Sequence, residues 1–246
     1  MIFNPTLHTL SNGIVVILDP MDIATTSVDV SFGVGARDEN PDQYGITHFI
    51  EHILMKGTAR FPSSLAIDEH LEDFGGTYNA STGNNNMRAY GRILSENINV
   101  LIDLLGDLVQ NSLFDEKVLD NERRVIADEL RRSLDNPDRC MYYFSAENIF
   151  AGSGMAHNTL GTFDTIANMS RDEMIGFMKS HISSKNTIIT VGGKIEDADK
   201  IIALLEKTFG WIPTFDVPVN DAATVFTTVA HNPKPEQNQV KLRLFF

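Results

Sequence analysis

Two histidines four residues apart, with a glutamate beside the second, are the part of this chain best suited to chemistry: His48-Phe49-Ile50-Glu51-His52. Side chains at i and i+4 of a helix lie one above the other on one face. Two imidazoles so placed can converge on a single ion about 2 Å from each ring nitrogen. Glu51 projects beside them, where a carboxylate can take a proton from water that zinc has acidified to a pKa of about 7. The pattern is H-x-x-E-H, the reverse of H-E-x-x-H. With 7 histidines in 246 residues, a chance match is expected on the order of 0.01 times. The competing assignment is two surface histidines and a solvated glutamate on an amphipathic helix.

A catalytic zinc takes three protein ligands and keeps a fourth position open. The helical stretch Lys117 to Leu134 offers Glu122 and Glu129. Its apolar residues Val118, Val125, Ile126, Leu130 and Leu134 are expected to define the buried side, with both glutamates at its edge. An inward carboxylate is costly unless a positive or hydrogen-bonding group meets it, and a metal ion would serve. The alternative for each is a salt bridge to a neighbouring Arg123, Arg124 or Arg132. His8, His70, His157, His181 and His231 have no partner at ligand spacing and are expected to be surface or satisfied histidines. Gly33-Val34-Gly35 lacks the third glycine of a dinucleotide site, and Gly152-Ser153-Gly154 is not a nucleophile elbow, so both are taken as turns.

The elements around this motif point to an α+β fold with a mixed, largely antiparallel sheet packed with helices. Leu10 to Leu18 turns on Asn12-Gly13, a tight-turn signal, and Ser27 to Val34 alternates as a strand. Helices are expected over Tyr44 to Met55 and Ser64 to Phe74. A hairpin, Thr77 to Ser81 with Met87 to Ile93, follows Gly75-Gly76. Ser95 to Leu134 is helical with a break near Asn111 to Phe114, and another helix runs from Arg139 to Phe150. The pattern continues with a helix at Ser170 to His181, a strand at Thr187 to Val191 and a helix at Asp197 to Phe209. Residues 213–237 are linker-like and 238–246 are expected to form a final strand. That apolar ending, Leu-Phe-Phe, suggests a polypeptide that continues.

Composition sets outer bounds. An apolar share of 42% in 246 residues supports one domain with a sizeable core. The net charge of −13 repels phosphate backbones and argues against nucleic acid; it suits a basic peptide, or simply a solvated surface. The single cysteine, Cys140, excludes an intramolecular disulfide and a Cys-rich zinc site, fits a reducing compartment, and is expected to be a packed thiol. With no basic, apolar leader and no run of 18 apolar residues, no membrane association and a cytoplasmic location are expected; a processed organelle protein would look the same.

The chain resembles the pitrilysin-type inverzincin peptidases, in particular the branch of the mitochondrial processing peptidase beta subunit and its bacterial relatives. In that branch a glutamate ligand follows H-x-x-E-H after 76 residues, and 76 residues lie between His52 and Glu129. The likeness extends through Gly35-Ala36-Arg37-Asp38-Glu39, His52-Ile53-Leu54-Met55-Lys56-Gly57-Thr58, Asn79-Ala80 and the segment from Glu122 to Glu129. It implies one zinc ion on His48, His52 and Glu129, with Glu51 as general base and Glu122 as a supporting carboxylate.

The resemblance further implies that a peptide or unfolded polypeptide docks as an added strand along Asn79, Ala80, Ser81 and Thr82. Without it, that segment is an ordinary hairpin arm. Members of the branch enclose substrate between two homologous domains. Residues 1–246 correspond to one zinc-bearing N-terminal half, with the second domain absent. Three roles follow: an endopeptidase half that dimerises with itself or with a homologous subunit or domain, a non-catalytic zinc-binding scaffold or partner subunit, and a structural metal site. The last is disfavoured because structural sites fill all four positions, usually with cysteine.

Overall fold

The computed structural model describes residues 4–218, 223–226, 230 and 242. The expected final strand at 238–246, most of the linker-like stretch at 213–237, and His231 lie outside those described residues, Leu242 apart.

The chain opens with a hairpin, β1 (Thr6–Thr9) and β2 (Val15–Pro20), paired antiparallel from Thr6↔Leu18 to Thr9↔Val15. Its turn contains Gly13 at φ 96°, a backbone conformation that glycine adopts without a Cβ penalty. The first arm lies upstream of the run that the sequence suggested, because the chain curls from Leu10 through Asn12 before re-entering the sheet. Next come β3 (Thr25–Phe32), β4 (Thr77–Thr82), β5 (Met87–Leu94) and, far along the chain, β6 (Thr187–Gly193). The six strands lie in the order β1-β2-β6-β3-β5-β4. All neighbours run antiparallel except β2 and β6. The mixed, largely antiparallel α+β architecture is therefore the observed one.

Alternation of period two gives the sheet its buried face. Val16 and Leu18, Val28, Val30 and Phe32, Met87, Ala89 and Ile93, and Ile189 and Val191 all lie in the core. Helices cover them: α1 (Ile46–Leu54), α2 (Ser64–Glu72), α3 (Ile98–Asn111), α4 (Glu116–Asp135), α5 (Pro137–Ile149), α6 (Phe163–Asn168), α7 (Arg171–His181) and α8 (Ala198–Phe209). α3 packs on β5, β3 and α8, while α1 lies between β4 and α4. α6 has no counterpart among the expected elements; at six residues it is too short for a clear helical period.

α4 starts where Asp115 accepts hydrogen bonds from the Lys117 and Val118 amides. Its buried stripe is Leu119, Glu122, Ile126, Leu130 and Ser133. This corrects the expected side: Val125 and Leu134 are 43% and 37% exposed. At about 100° per residue, Val125 points roughly 100° away from the centre of that stripe. Glu122 lies in the stripe and Glu129 at its margin.

Candidate metal centre

α1 is a core helix. Seven of its nine residues, Ile46 through Ile50 with Ile53 and Leu54, are buried, so its two histidines must face a specific neighbour. That neighbour is α4, against which α1 packs. Across the junction Nε2 of His48 lies 3.8 Å from Oε2 of Glu129, and Nε2 of His52 lies 3.7 Å from the same oxygen. One ligand atom from each of His48, His52 and Glu129 falls within 4.8 Å of the other two.

Ligands about 2.1 Å from a tetrahedral zinc are about 3.4 Å apart, so the three atoms need only small shifts to hold one ion. Two imidazoles and a carboxylate are also a donor set that leaves zinc an open fourth position. The residues fit the metal.

Glu122 stands behind this trio. Its Oε2 is 2.9 Å from Nδ1 of His52, and its Oε1 is 2.9 Å from Nζ of Lys56. A carboxylate on Nδ1 orients the ring so that Nε2 keeps a lone pair for metal. Among the described residues Glu122 thus pairs with His52 and Lys56, while Arg123 binds Asp120 and the Met169 carbonyl instead. Lys56 had no role assigned from sequence. Its signal was a cation four residues past the second histidine, legible only once Glu122 was known to be buried.

The metal-free electrostatics split the two histidines. Burial lowers His48 to a pKa of about 4, with help from the nearby His52 and against the pull of Glu129. Burial also opposes a charge on His52, but its hydrogen bond to Glu122 and the nearby Glu129 carboxylate outweigh that and raise it to about 9. Glu129 is held below the usual carboxylate range, first by the neighbouring His52. Glu122 is lowered too: burial works against its charge, and the bonds from His52 and Lys56 prevail. Glu51 goes the other way, raised by burial although the neighbouring Thr82 pulls against it.

Thr82 belongs to β4, one of the two edge strands of the sheet among the described residues. Asn79 is exposed, Ala80 buried, and Ser81 and Thr82 half-buried. The Thr82 hydroxyl also lies 3.4 Å from the Thr47 carbonyl, so the end of this edge strand meets the helix that carries both histidines.

The remaining described histidines stand elsewhere. His8 contacts Thr6, His70 packs between Phe61 and Phe74, His181 stacks on Phe177, and His157 bonds Glu39. Cys140 is a half-buried free thiol. Gly152 turns at φ 78°, and Gly35 precedes a single 3-10 turn. Among the described residues no helix is long and apolar enough to cross a membrane.

Residues 14–162 match the family described as Insulinase (Peptidase family M16). An uncharacterized zinc protease of Rickettsia felis is 31% identical over 207 residues, which are 84% of this chain and 50% of that protein. The probable mitochondrial-processing peptidase subunit beta of Arabidopsis thaliana is 27% identical over 226 residues, 92% of this chain and 41% of that one. Among solved structures, a protease from Helicobacter pylori superposes with a TM-score of 0.81 at 25% identity, covering 90% of this chain and 54% of its own. The chain spans about half the length of the relatives it matches. With a match over more than half its residues, carrying the helix of His48 and His52 and the glutamate that faces them, the chain belongs to the insulinase family of peptidases, family M16.

Proposed function

We propose that this chain is the zinc-bearing half of a metalloendopeptidase, with one zinc held by His48, His52 and Glu129. The observation that carries the reading is the convergence of these three ligand atoms within 4.8 Å, with Glu51 one residue before His52 on the same helix. Zinc bound there would polarise a substrate carbonyl and acidify water at its open position. Glu51 takes the proton of the attacking water and returns it to the departing amine. Its raised pKa suits both tasks, since a base that must also act as an acid works best nearer neutral pH. Glu122 holds the His52 ring through Nδ1.

Substrate, a peptide or unfolded polypeptide, docks as an added strand on β4 along Asn79 to Thr82, its main chain pairing with the edge that β4 presents among the described residues. The Thr82 contact with Glu51 supports this placement, because it sets the edge beside the base. A second domain or subunit, a copy of this chain or a homologue, would close over the substrate, in keeping with the half-length coverage of the relatives. The lone cysteine fits a cytoplasmic location. A second reading, a zinc-binding partner subunit that cleaves nothing, draws on the same half-length coverage. Glu51 counts against it, since a scaffold needs no base beside its metal.

The test is Glu51→Gln, with zinc quantified and peptide cleavage and light scattering measured beside the parent chain. Zinc content should equal the parent's while cleavage falls about 10²- to 10⁴-fold. Cleavage at the parental rate would remove Glu51 from the role of base. A zinc-loaded but inert parental monomer would favour the requirement for a second half.

A further inference from the structure

His48 is the third residue of a nine-residue helix. Helix ends fray, and their first N–H groups have no intrahelical acceptor. A metal ligand in the first turn is therefore only as well placed as the cap that holds it. The N-cap residue of α1 is Gly45, at φ 93°, which has no side chain with which to cap.

We propose that Glu39 and His157 form a buried clasp on this turn and are positioning residues for His48. The inference rests on the reading of His48 as a zinc ligand. Glu39 Oε2 accepts from the Gly45 amide at 2.7 Å and Oε1 accepts from the Thr47 amide at 2.9 Å. The same Oε2 lies 3.1 Å from Nε2 of His157, which must donate, since a carboxylate oxygen there can only accept. The Glu39 side chain is fully buried and that of His157 is 8% exposed. A buried carboxylate without partners is costly. Here two amides, the positive end of a helix and an imidazole N–H meet it.

His157 is placed for this bond. Its ring stacks on Tyr44 with centroids 3.8 Å apart and planes 10° from parallel. Among the described residues its Nδ1 is buried without a hydrogen-bond partner, a cost that an apolar ring on Tyr44 would avoid. What histidine adds over such a ring is the N–H to Glu39. The segment carrying it is locked to the helix start: Thr165 Oγ1 donates to the Tyr44 carbonyl at 2.6 Å. A Cβ on Gly161 would come within 2.2 Å of that same carbonyl oxygen. Backbone more than 100 residues away in sequence thus sets where α1 begins.

The experiment uses the full chain with Glu39→Gln, His157→Phe and His157→Gln. Amide hydrogen exchange of Gly45 and Thr47 is followed in the metal-free state, and cobalt(II) is titrated with its visible absorption as the probe. His157→Phe keeps the stacking and is expected to speed exchange at both amides, to weaken cobalt about 10-fold and to alter its absorption band. Glu39→Gln, which puts a donor against an amide, should reach toward 100-fold. His157→Gln restores an N–H and should recover part of the loss.

Folded variants with cobalt affinity within about two-fold of the parent and an unchanged band would show a capping role only and overturn the proposal. So would unchanged exchange at Gly45 and Thr47. Should Glu39→Gln fail to fold, His157→Phe carries the test, because it leaves both amides their acceptor. A parent chain that binds no cobalt would instead sink the zinc reading, and exchange alone would then decide the clasp.

Discussion

At the C-terminal end of α1, His52 is held through its ring, with Nδ1 on Glu122 and Lys56 behind it. At the N-terminal end, Nδ1 of His48 meets no hydrogen-bond partner among the described residues, and the turn is held through its backbone by Glu39. Two groups with the same proposed task are thus supported by different physics. Side-chain hydrogen bonding from α4 aims His52, whereas burial and a capped helix start place His48. The difference also sets their charges, one pushed toward the imidazolium and the other away from it.

Glu129 is common to both ends, so its loss should have the largest effect. Glu129→Gln is expected to weaken zinc more than about 100-fold, since loss of an outer partner alone costs 10- to 100-fold. Metal analysis after dialysis gives the answer, and unchanged stoichiometry and affinity would take Glu129 out of the ligand set. Glu122→Gln should weaken zinc by about 10- to 100-fold, with Lys56→Met milder at under about 10-fold. The comparison breaks if Lys56→Met proves the worse of the two, because the lysine would then act other than through Glu122.

The smallest effect is read in the pH dependence of stability without metal. His52 has a folded pKa of about 9 against 6.5 in the unfolded chain, so the folded state holds the extra proton between those values. Its stabilisation is complete below 6.5 and disappears as pH rises through about 9. His48 is depressed, so below 6.5 the unfolded chain gains a proton that the folded chain refuses, and stability drops as pH falls. Urea midpoints in chelator should therefore peak at roughly pH 6 to 7. A flat profile from roughly pH 5 to 9 would mean that the two rings feel the same surroundings.

Much of the site could be read from residue spacing. The i,i+4 relation places His48 and His52 on one face of α1 whatever surrounds it, while helix position left Glu122 and Glu129 as equal candidates and only the family resemblance pointed to Glu129 as the ligand. The buried side of α4 was harder, because Val125 and Leu134 are as apolar as Leu130 yet face outward. Hydrophobicity reports a tendency to be buried; the rotation of a helix is set by what it packs against. Glu39 was visible as part of a motif, but nothing local links it to His157, 118 residues away.

The sequence by itself determined the local features: the paired histidines of α1, the Asn12-Gly13 turn and the alternation that makes β3 and β5 strands. These follow from backbone geometry over one or two turns, or from residue pairs along a strand. Only the tertiary structure decided that α4 crosses α1 where Glu129 meets both rings, that Glu122 turns to His52 rather than to an arginine, and that β4 lies at the sheet edge. It also decided that β6 inserts parallel to β2, and that residues 157–165 hold the start of α1. Those outcomes depend on which surfaces bury one another across tens to hundreds of residues, and no pattern within a single helix or strand encodes the choice.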